Sequence, residues 1–323
     1  MSRPLLAPLV PLYRAAIAAK NAAYDRGWVV AQHLSWPVVS VGNLSVGGSG
    51  KTPLVIRLAQ LLSAQGLSVD VLSRGYGRGS TDVGRVEPSG SAENFGDEPL
   101  LIAQKAAVPV YVGASRYEAG QLAESQSSGP GVHLLDDGFQ HRKLARDTDI
   151  VVVHASDFQQ QLLPAGRLRE PLSSLHRASV VVLRAEDAGL ERELRERGVQ
   201  VPVWIQHRRL VLEPRSPAVA FCGIARPEEF FAALRANEVE LAATRFFRDH
   251  HRYTDADIDA ILELCQVAGA KACITTEKDA VRLSPRQLAR IASRVPLESA
   301  RLEVALADEP AALGQLLALL MRR

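Results

Sequence analysis

Residues 38–54 constrain this chain more than any other stretch: Val-Val-Ser-Val-Gly-Asn-Leu-Ser-Val-Gly-Gly-Ser-Gly-Lys-Thr-Pro-Leu. The β-branched run from Val38 to Val41 predicts a buried strand. It breaks into a loop holding Gly42, Gly47, Gly48 and Gly50. Lys51 and Thr52 then open an apolar repeat (Leu54, Ile56, Leu58, Leu61, Leu62) that predicts a helix ending near Gly66. Strand, glycine loop, Lys-Thr and helix make a phosphate-binding loop. Glycines let backbone N–H groups converge on phosphate oxygens, and the helix N-terminus adds a fixed partial positive charge. The phosphate contacts are therefore expected from Ser45, Val46, Gly47, Gly48, Ser49, Gly50, Lys51 and Thr52. Lys51 is expected to reach the β- and γ-phosphates, and the Thr52 hydroxyl to ligate Mg²⁺. Ser45 stands where the general pattern has its first glycine. Pro53 fits the first helical turn, whose N–H groups are free anyway.

At 323 residues the chain can bury a sizeable core and form two domains. Its formal net charge of +2 argues neither way about nucleic acid, and no nucleic-acid partner is expected. Cys222, Cys265 and Cys273 lack metal-ligand spacing and read as small buried hydrophobes in a reducing compartment. No apolar run is long enough to span a bilayer, and no secretory leader is expected from a start interrupted by Pro4, Pro8, Pro11 and Arg14.

Residues 1–28 read as an apolar, purely basic helix: Leu5, Leu6, Leu9, Leu12, Tyr13, Ile17 and Tyr24 against Arg3, Arg14 and Lys20. Such a helix can lie in an anionic membrane surface or pack on the protein core. From 37 to about 206 the pattern alternates strands (37–42, 67–73, 109–113, 132–136, 149–154, 179–184, 201–206) with helices (51–65, 97–107, 115–126, 186–198). That alternation predicts a parallel sheet covered on both faces, with ligands outside the carboxyl ends of its strands. The glycine-rich stretch 74–96 and the stretch 155–178 are expected as long surface loops. A proline-bounded connection at 213–217 leads into a second α/β pattern: strands 218–222, 239–247, 272–276 and 302–306, with helices 227–236, 255–268, near 285–292 and 309–321. The expected architecture is α/β: a P-loop NTPase-type parallel sheet domain over 29–212, a smaller α/β domain over 213–323, and a cleft between them.

Several groups could carry chemistry. Asp136-Asp137-Gly138 follows an apolar strand, and a carboxylate there beside a phosphate loop serves Mg²⁺, against the alternative of a solvated turn. Asp97 and Glu98 stand where the glycine-rich loop meets a helix, and from the residues alone Asp97 reads as a cap of that helix. Arg74, Arg78, Arg116, His141, Arg142, Lys143, Arg167 and Arg169 cluster on strand-end loops, which suits an anionic acceptor. His250 and His251 lack a third metal ligand at suitable spacing, so one imidazole tuning a neighbouring carboxylate is favoured. Thr275-Thr-Glu-Lys-Asp279 is a further strand-end loop, but its lysine is one place late for the guanine-reading pattern. Two function classes fit: an ATP-dependent phosphotransferase on an anionic small molecule or lipid, and a membrane-associated switch ATPase acting through a protein partner. Val46 stands where the switch ATPases carry a lysine, which counts against them.

The motifs in order resemble one family. Ser40–Pro53, Ser73-Arg-Gly-Tyr-Gly77, Gly96-Asp-Glu-Pro99, Leu135-Asp-Asp-Gly-Phe-Gln-His141, Leu163-Pro-Ala-Gly-Arg-Leu-Arg-Glu-Pro171, Phe221-Cys-Gly-Ile-Ala, Asp249-His250 and Thr275–Asp279 are similar to the tetraacyldisaccharide 4'-kinases, the lipid A 4'-kinases of Gram-negative bacteria. Ser45 belongs to that family's own pattern. The resemblance implies transfer of the ATP γ-phosphate to the 4'-hydroxyl of tetraacyldisaccharide 1-phosphate at the cytoplasmic face of the inner membrane. The N-terminal helix would be a monotopic anchor. It implies Asp97 as base, tuned by His250, and Lys51 and Thr52 on phosphate and Mg²⁺. It also implies Glu98, Asp136 and Asp137 around the metal, and Arg74, Arg116, Gln140 and Arg169 on the lipid acceptor.

Overall fold

A computed structural model of the chain describes residues 4–48, 50–213 and 215–321. Its strands are β1 (Val38–Asn43), β2 (Ser68–Ser73), β3 (Gly84–Arg85), β4 (Val110–Val112), β5 (Gly131–Asp136), β6 (Thr148–Val153), β7 (Val180–Arg184), β8 (Val203–Val211), β9 (Ala218–Cys222), β10 (Leu241–Phe246), β11 (Ala272–Thr276) and β12 (Leu297–Leu306). The helices are α1 (Val10–Asp25), α2 (Lys51–Ala64), α3 (Ala92–Phe95), α4 (Asp97–Lys105), α5 (Arg116–Ser125), α6 (Leu190–Glu196), α7 (Pro227–Ala236), α8 (Asp255–Val267), α9 (Glu277–Ala280), α10 (Pro285–Ala292) and α11 (Glu309–Leu320). The strands form one sheet in the order β10-β9-β11-β12-β8-β7-β6-β1-β5-β2-β4-β3.

Neighbours run parallel except at β3–β4 and β8–β12. Strands β1, β6, β7 and β9 are buried along their whole length. This explains why they read as continuous Val/Ile/Ala runs with no period-two alternation: helices cover both faces. β8 runs past the expected end at 206. Its polar segment His207-Arg208-Arg209 is held as strand by pairing with Ala305, Val304 and Glu303 of β12.

That antiparallel pair sets the polarity of the molecule. β8 lies parallel to β7 only as far as Gln206, then continues alongside β12. β12 is parallel to β11, and β11 to β9. The strands of the second half therefore run opposite to those of the first, and the two carboxyl edges face each other. Both edges are where α/β sheets place their ligand sites.

Each half has its own apolar layers, but the last helix crosses back. Ala312 and Leu316 of α11, with Val304 and Leu306 of β12, join the core formed by Leu54, Leu58 and Leu62 of α2. Arg57 Nε also donates to Glu309 Oε1 at 2.7 Å, bracing the phosphate-loop helix against α11. At the other end, no residue of α1 is buried. Leu5 is 94% and Leu12 71% exposed. One edge of the helix is docked by polar contacts: Tyr13 Oη donates to the Arg169 carbonyl (3.0 Å) and Asn21 Nδ2 to Glu170 Oε2 (2.9 Å). Among the described residues no helix is long and apolar enough to cross a membrane.

Candidate active site

The phosphate loop joins β1 to α2. Gly50, in the left-handed region at φ +80°, turns the chain into the helix, a conformation glycine adopts without Cβ strain. Gly47 has φ +102°. Asn43 Nδ2 donates to the Ser45 carbonyl (2.7 Å), and Arg167 donates to the Val46 carbonyl through Nε (3.2 Å) and Nη2 (3.0 Å). Ser45 is buried and pairs with Leu168 in an isolated bridge. The loop is thus held from outside by residues 167–168. Ser49 lies outside the described residues.

Lys51 Nζ lies 3.0 Å from Asn43 Oδ1 and 3.3 Å from Asp137 Oδ1. Asp137 Oδ2 in turn accepts from Arg169 Nη1 at 2.8 Å. Burial raises the Asp137 pKa, but the charges of Lys51 and Arg169 outweigh it and bring it down to about 2. Asp136 differs. It ends β5, is 2% exposed, and is pushed up to about 7 by burial and then by the Glu98 and Asp137 charges, against Lys51 and Lys278. Its Oδ2 lies 3.5 Å from Ser73 Oγ, and its Oδ1 has no hydrogen-bond partner among the described residues. Among those residues no three His, Cys, Asp or Glu side chains converge to cage a metal by themselves. A buried carboxylate oxygen without a partner among the described residues, within reach of the Lys51 charge, fits Mg²⁺, which takes one or two carboxylates with water and phosphate.

Asp97 is the first residue of α4, in the same half as the phosphate loop, and the cap position is Gly96. The cap role read for Asp97 is not what its side chain does. Oδ2 accepts from His250 Nδ1 (2.9 Å) and Arg282 Nε (2.8 Å), and Arg282 Nη2 contacts it as well. Burial raises the Asp97 pKa, but the His250 hydrogen bond and the charges of Arg282 and Lys278 hold it well below the usual carboxylate range. Glu98 accepts from Lys278 Nζ at 2.7 Å.

His250 and Arg282 share a frame in the second half. Asp279, fully buried, accepts from Gly223 N (2.9 Å), Tyr253 Oη (2.8 Å) and Arg282 Nη1 (2.9 Å). His250 donates its backbone N–H to the Gly223 carbonyl (3.1 Å) and sits at φ +59°, a left-handed conformation uncommon for histidine. The exposed ring of Tyr76 packs edge-on against the imidazole at 5.4 Å.

Gln140 Nε2 donates to the Asn43 carbonyl (2.9 Å), and its Oε1 accepts from Arg169 Nη1 (3.2 Å). Arg116 is 6% exposed and its Nε has no hydrogen-bond partner among the described residues. Burial and then the Arg74 charge lower its pKa to about 10. His141 is pushed down to about 4 by burial and by Arg116, Arg146, Lys143 and Lys20. This rim carries a positive field suited to an anion. Lys51, Asp137, Gln140 and Arg169 form one network, and Asp97, His250 and Arg282 another. Arg282, Lys278, Asp279 and Asn43 escape sequence reading as site residues. Lys278 and Asp279 lie in the strand-end loop Thr275–Asp279 and Asn43 in the phosphate-loop stretch, while nothing in residue order marks Arg282.

A family profile described as tetraacyldisaccharide-1-P 4'-kinase matches residues 2–321. The tetraacyldisaccharide 4'-kinase of Koribacter versatilis is 47% identical over 98% of this chain and 99% of that protein. That of Chlorobaculum tepidum is 39% identical over 87% of this chain and 86% of that protein. Among solved structures, LpxK from Aquifex aeolicus in complex with ATP is 32% identical, with a TM-score of 0.78 over 98% of this chain and 99% of that one.

Proposed function

The chain belongs to the tetraacyldisaccharide-1-P 4'-kinase family, and we propose that Asp97, with His250, is the base through which it phosphorylates its lipid. The enzyme is an ATP-dependent kinase that moves the γ-phosphate to the 4'-hydroxyl of a tetraacyl disaccharide 1-phosphate. The observation that carries the residue assignment is the contact of Asp97 Oδ2 with His250 Nδ1 at 2.9 Å across the two halves, beside the phosphate loop.

A sugar hydroxyl is a weak nucleophile, so a positioned base contributes roughly 10²–10⁴-fold. As the 4'-oxygen bonds to the γ-phosphorus, the bond from that phosphorus to the β,γ-bridging oxygen breaks and ADP leaves. The hydroxyl proton passes to Asp97. His250 Nδ1–H and Arg282 hold Oδ2, which leaves Oδ1 to take the proton. Lys51 binds the β- and γ-phosphate oxygens, giving up Asp137 to do so. Thr52, Asp136 and Asp137, with Glu98 beside them, would hold Mg²⁺, which would supply positive charge to offset that of the phosphates. Arg74, Arg116, Gln140 and Arg169 orient the acceptor, and the groups with unpaired donors favour its phosphate and sugar oxygens. The half beginning near 213 closes the cleft and excludes water, a reading supported by His250, Lys278 and Arg282 all reaching α4 from that half.

The N-terminal helix lies on the cytoplasmic face of the inner membrane in this reading. Its support is the exposed row Leu5, Leu9 and Leu12 on a helix whose opposite edge is docked beside Arg169. A groove of about 450 Å³ between α1 and residues 157–172, walled by Val10, Pro11, Phe158, Leu162 and Leu172, suits acyl chains at that surface.

The test is transfer of labelled γ-phosphate from Mg-ATP to tetraacyldisaccharide 1-phosphate in detergent micelles. Label in the lipid, lost with K51A and cut at least a hundredfold with D97A, is expected. ATP hydrolysis without labelled lipid would overturn it in favour of a switch ATPase.

A further inference from the structure

The strand-end loop Thr275–Asp279 holds a lysine to which the phosphotransfer reading gives no part in the chemistry. Lys278 stands on α9, at the carboxyl end of β11. Its neighbours fix the backbone there: Asp279 N donates to Thr276 Oγ1 (3.1 Å), and Thr276 Oγ1 donates to Asp279 Oδ2 (2.6 Å). The side chain, 24% exposed, is held far less. Glu98 Oε1, at 2.7 Å, is the only hydrogen-bond partner of its ammonium among the described residues. An ammonium carries three N–H donors, so most of its donor capacity is unspent. Arg282, one turn further on, is the contrast. It spends Nε and Nη2 on Asp97 and Nη1 on Asp279 and the Gly223 carbonyl, with 5% of its side chain exposed.

Position and charge narrow what those donors meet. Asp97 takes the proton of the attacking hydroxyl, so the γ-phosphorus faces that oxygen. Glu98 is the next residue in the chain, and Lys278 is bound to it. The Lys278 charge acts on Asp97, Glu98 and Asp136, and the Lys51 charge on Glu98 and Asp136. Two cations, one from each half, therefore bracket the same carboxylates and the space that the γ-phosphate takes. As a tie between the halves Lys278 is redundant: Arg282 already grips Asp97, and Lys105 of α4 pairs with Glu277 of α9. A partly exposed ion pair adds little to these. A compact point charge on a flexible stem suits a phosphoryl oxygen that shifts during transfer.

We propose that Lys278 is a further catalytic residue: its ammonium donates to an oxygen of the γ-phosphoryl group from the second half, while Lys51 holds that group from the phosphate loop. Lys278 stays an ammonium throughout and moves no proton. Its charge offsets that of the group in transfer. This deepens the kinase reading and rests on it for where the γ-phosphate lies.

Calorimetric titration of the full chain with Mg-ATP and, separately, with Mg-ADP tests it, because only ATP carries the γ-phosphoryl group. K278M should raise the Kd for ATP about tenfold or more and leave that for ADP within about twofold of wild type. Lipid phosphorylation should fall about a hundredfold or more, with partial recovery in K278R, which keeps the charge. K278M also leaves the Glu98 charge unopposed, so the same titrations on E98Q and E98Q/K278M separate the two effects. The double variant should still bind ATP about tenfold less tightly than E98Q. Equal ATP affinities of E98Q and E98Q/K278M overturn the proposal, as does a K278M protein whose ratio of ATP to ADP affinity matches wild type. K278Q takes the place of K278M should the latter not fold. Failure of lipid transfer by the wild type would strike the 4'-kinase reading, whereas the two nucleotide affinities are read on protein and nucleotide alone.

Discussion

Two buried carboxylates of the candidate site, Asp97 and Asp136, are tuned in opposite directions, which suits the proposed roles of base and metal ligand. Asp97 is held ionised by His250 and Arg282, whereas Asp136 is raised to about 7 by burial and the Glu98 and Asp137 charges. Replacing Arg282 with Met removes that clamp, so the Asp97 pKa must rise. The acid limb of the kcat/KM–pH profile should then move to higher pH, because the base must be ionised to accept a proton. An unmoved limb with merely lower turnover would leave Arg282 a packing residue only. For Asp136 the sign is reversed. With its folded value above the unfolded value of about 3.9, the folded state keeps a proton the unfolded chain has lost. Stability without ligands therefore falls as pH rises through that window and levels off above about pH 7. D136N abolishes this penalty: its melting temperature should exceed that of the wild type by a margin that widens from pH 5 to pH 8, while lipid phosphorylation is lost.

At the scale of elements, helix formation follows local chemistry and helix placement does not. Thr254 and Asp257 form a reciprocal capping box at the start of α8, where the sequence places a cap at Thr254 or Asp255. Asp97 shows the limit of such reasoning. Its position at the start of α4 is that of a cap, but the second half supplies two stronger partners for its carboxylate. The N-terminal helix poses the same question, since its apolar residues could serve core or membrane. In the fold it contributes no buried residue. L5D/L12D should weaken flotation with anionic liposomes and raise KM for the lipid in micelles, while Tyr13 and Asn21 keep the helix docked. Unchanged liposome binding would remove α1 from the membrane role.

For the whole molecule, the decisive device is the antiparallel β8–β12 pair, which turns two parallel half-sheets edge to edge. The sequence pattern suggests a smaller unit from 213 onward, and α11 at its end completes the core under the phosphate-loop helix. Leu316 is fully buried there, so L316A should cost about 2–5 kcal/mol. Urea denaturation should lower the midpoint for the first half as well as the second, because α11 belongs to both. A loss confined to the second half would separate the units.

The strand–loop–helix unit of the phosphate loop and the alternation of strand and helix were legible from residue order, because they depend on neighbours within a few residues. Much of the second half's strand pattern was legible for the same reason. The partners of Asp97 were not. His250 and Arg282 lie 153 and 185 positions away in the chain. Nor could periodicity reveal that Gln206 is buried beside Arg184 at the sheet's carboxyl edge. Local patterns encode which elements form, since propensity and capping act over a few residues. Which carboxylate meets which cation is decided only when long-range strand pairing brings the two edges together and removes the water that would otherwise screen them.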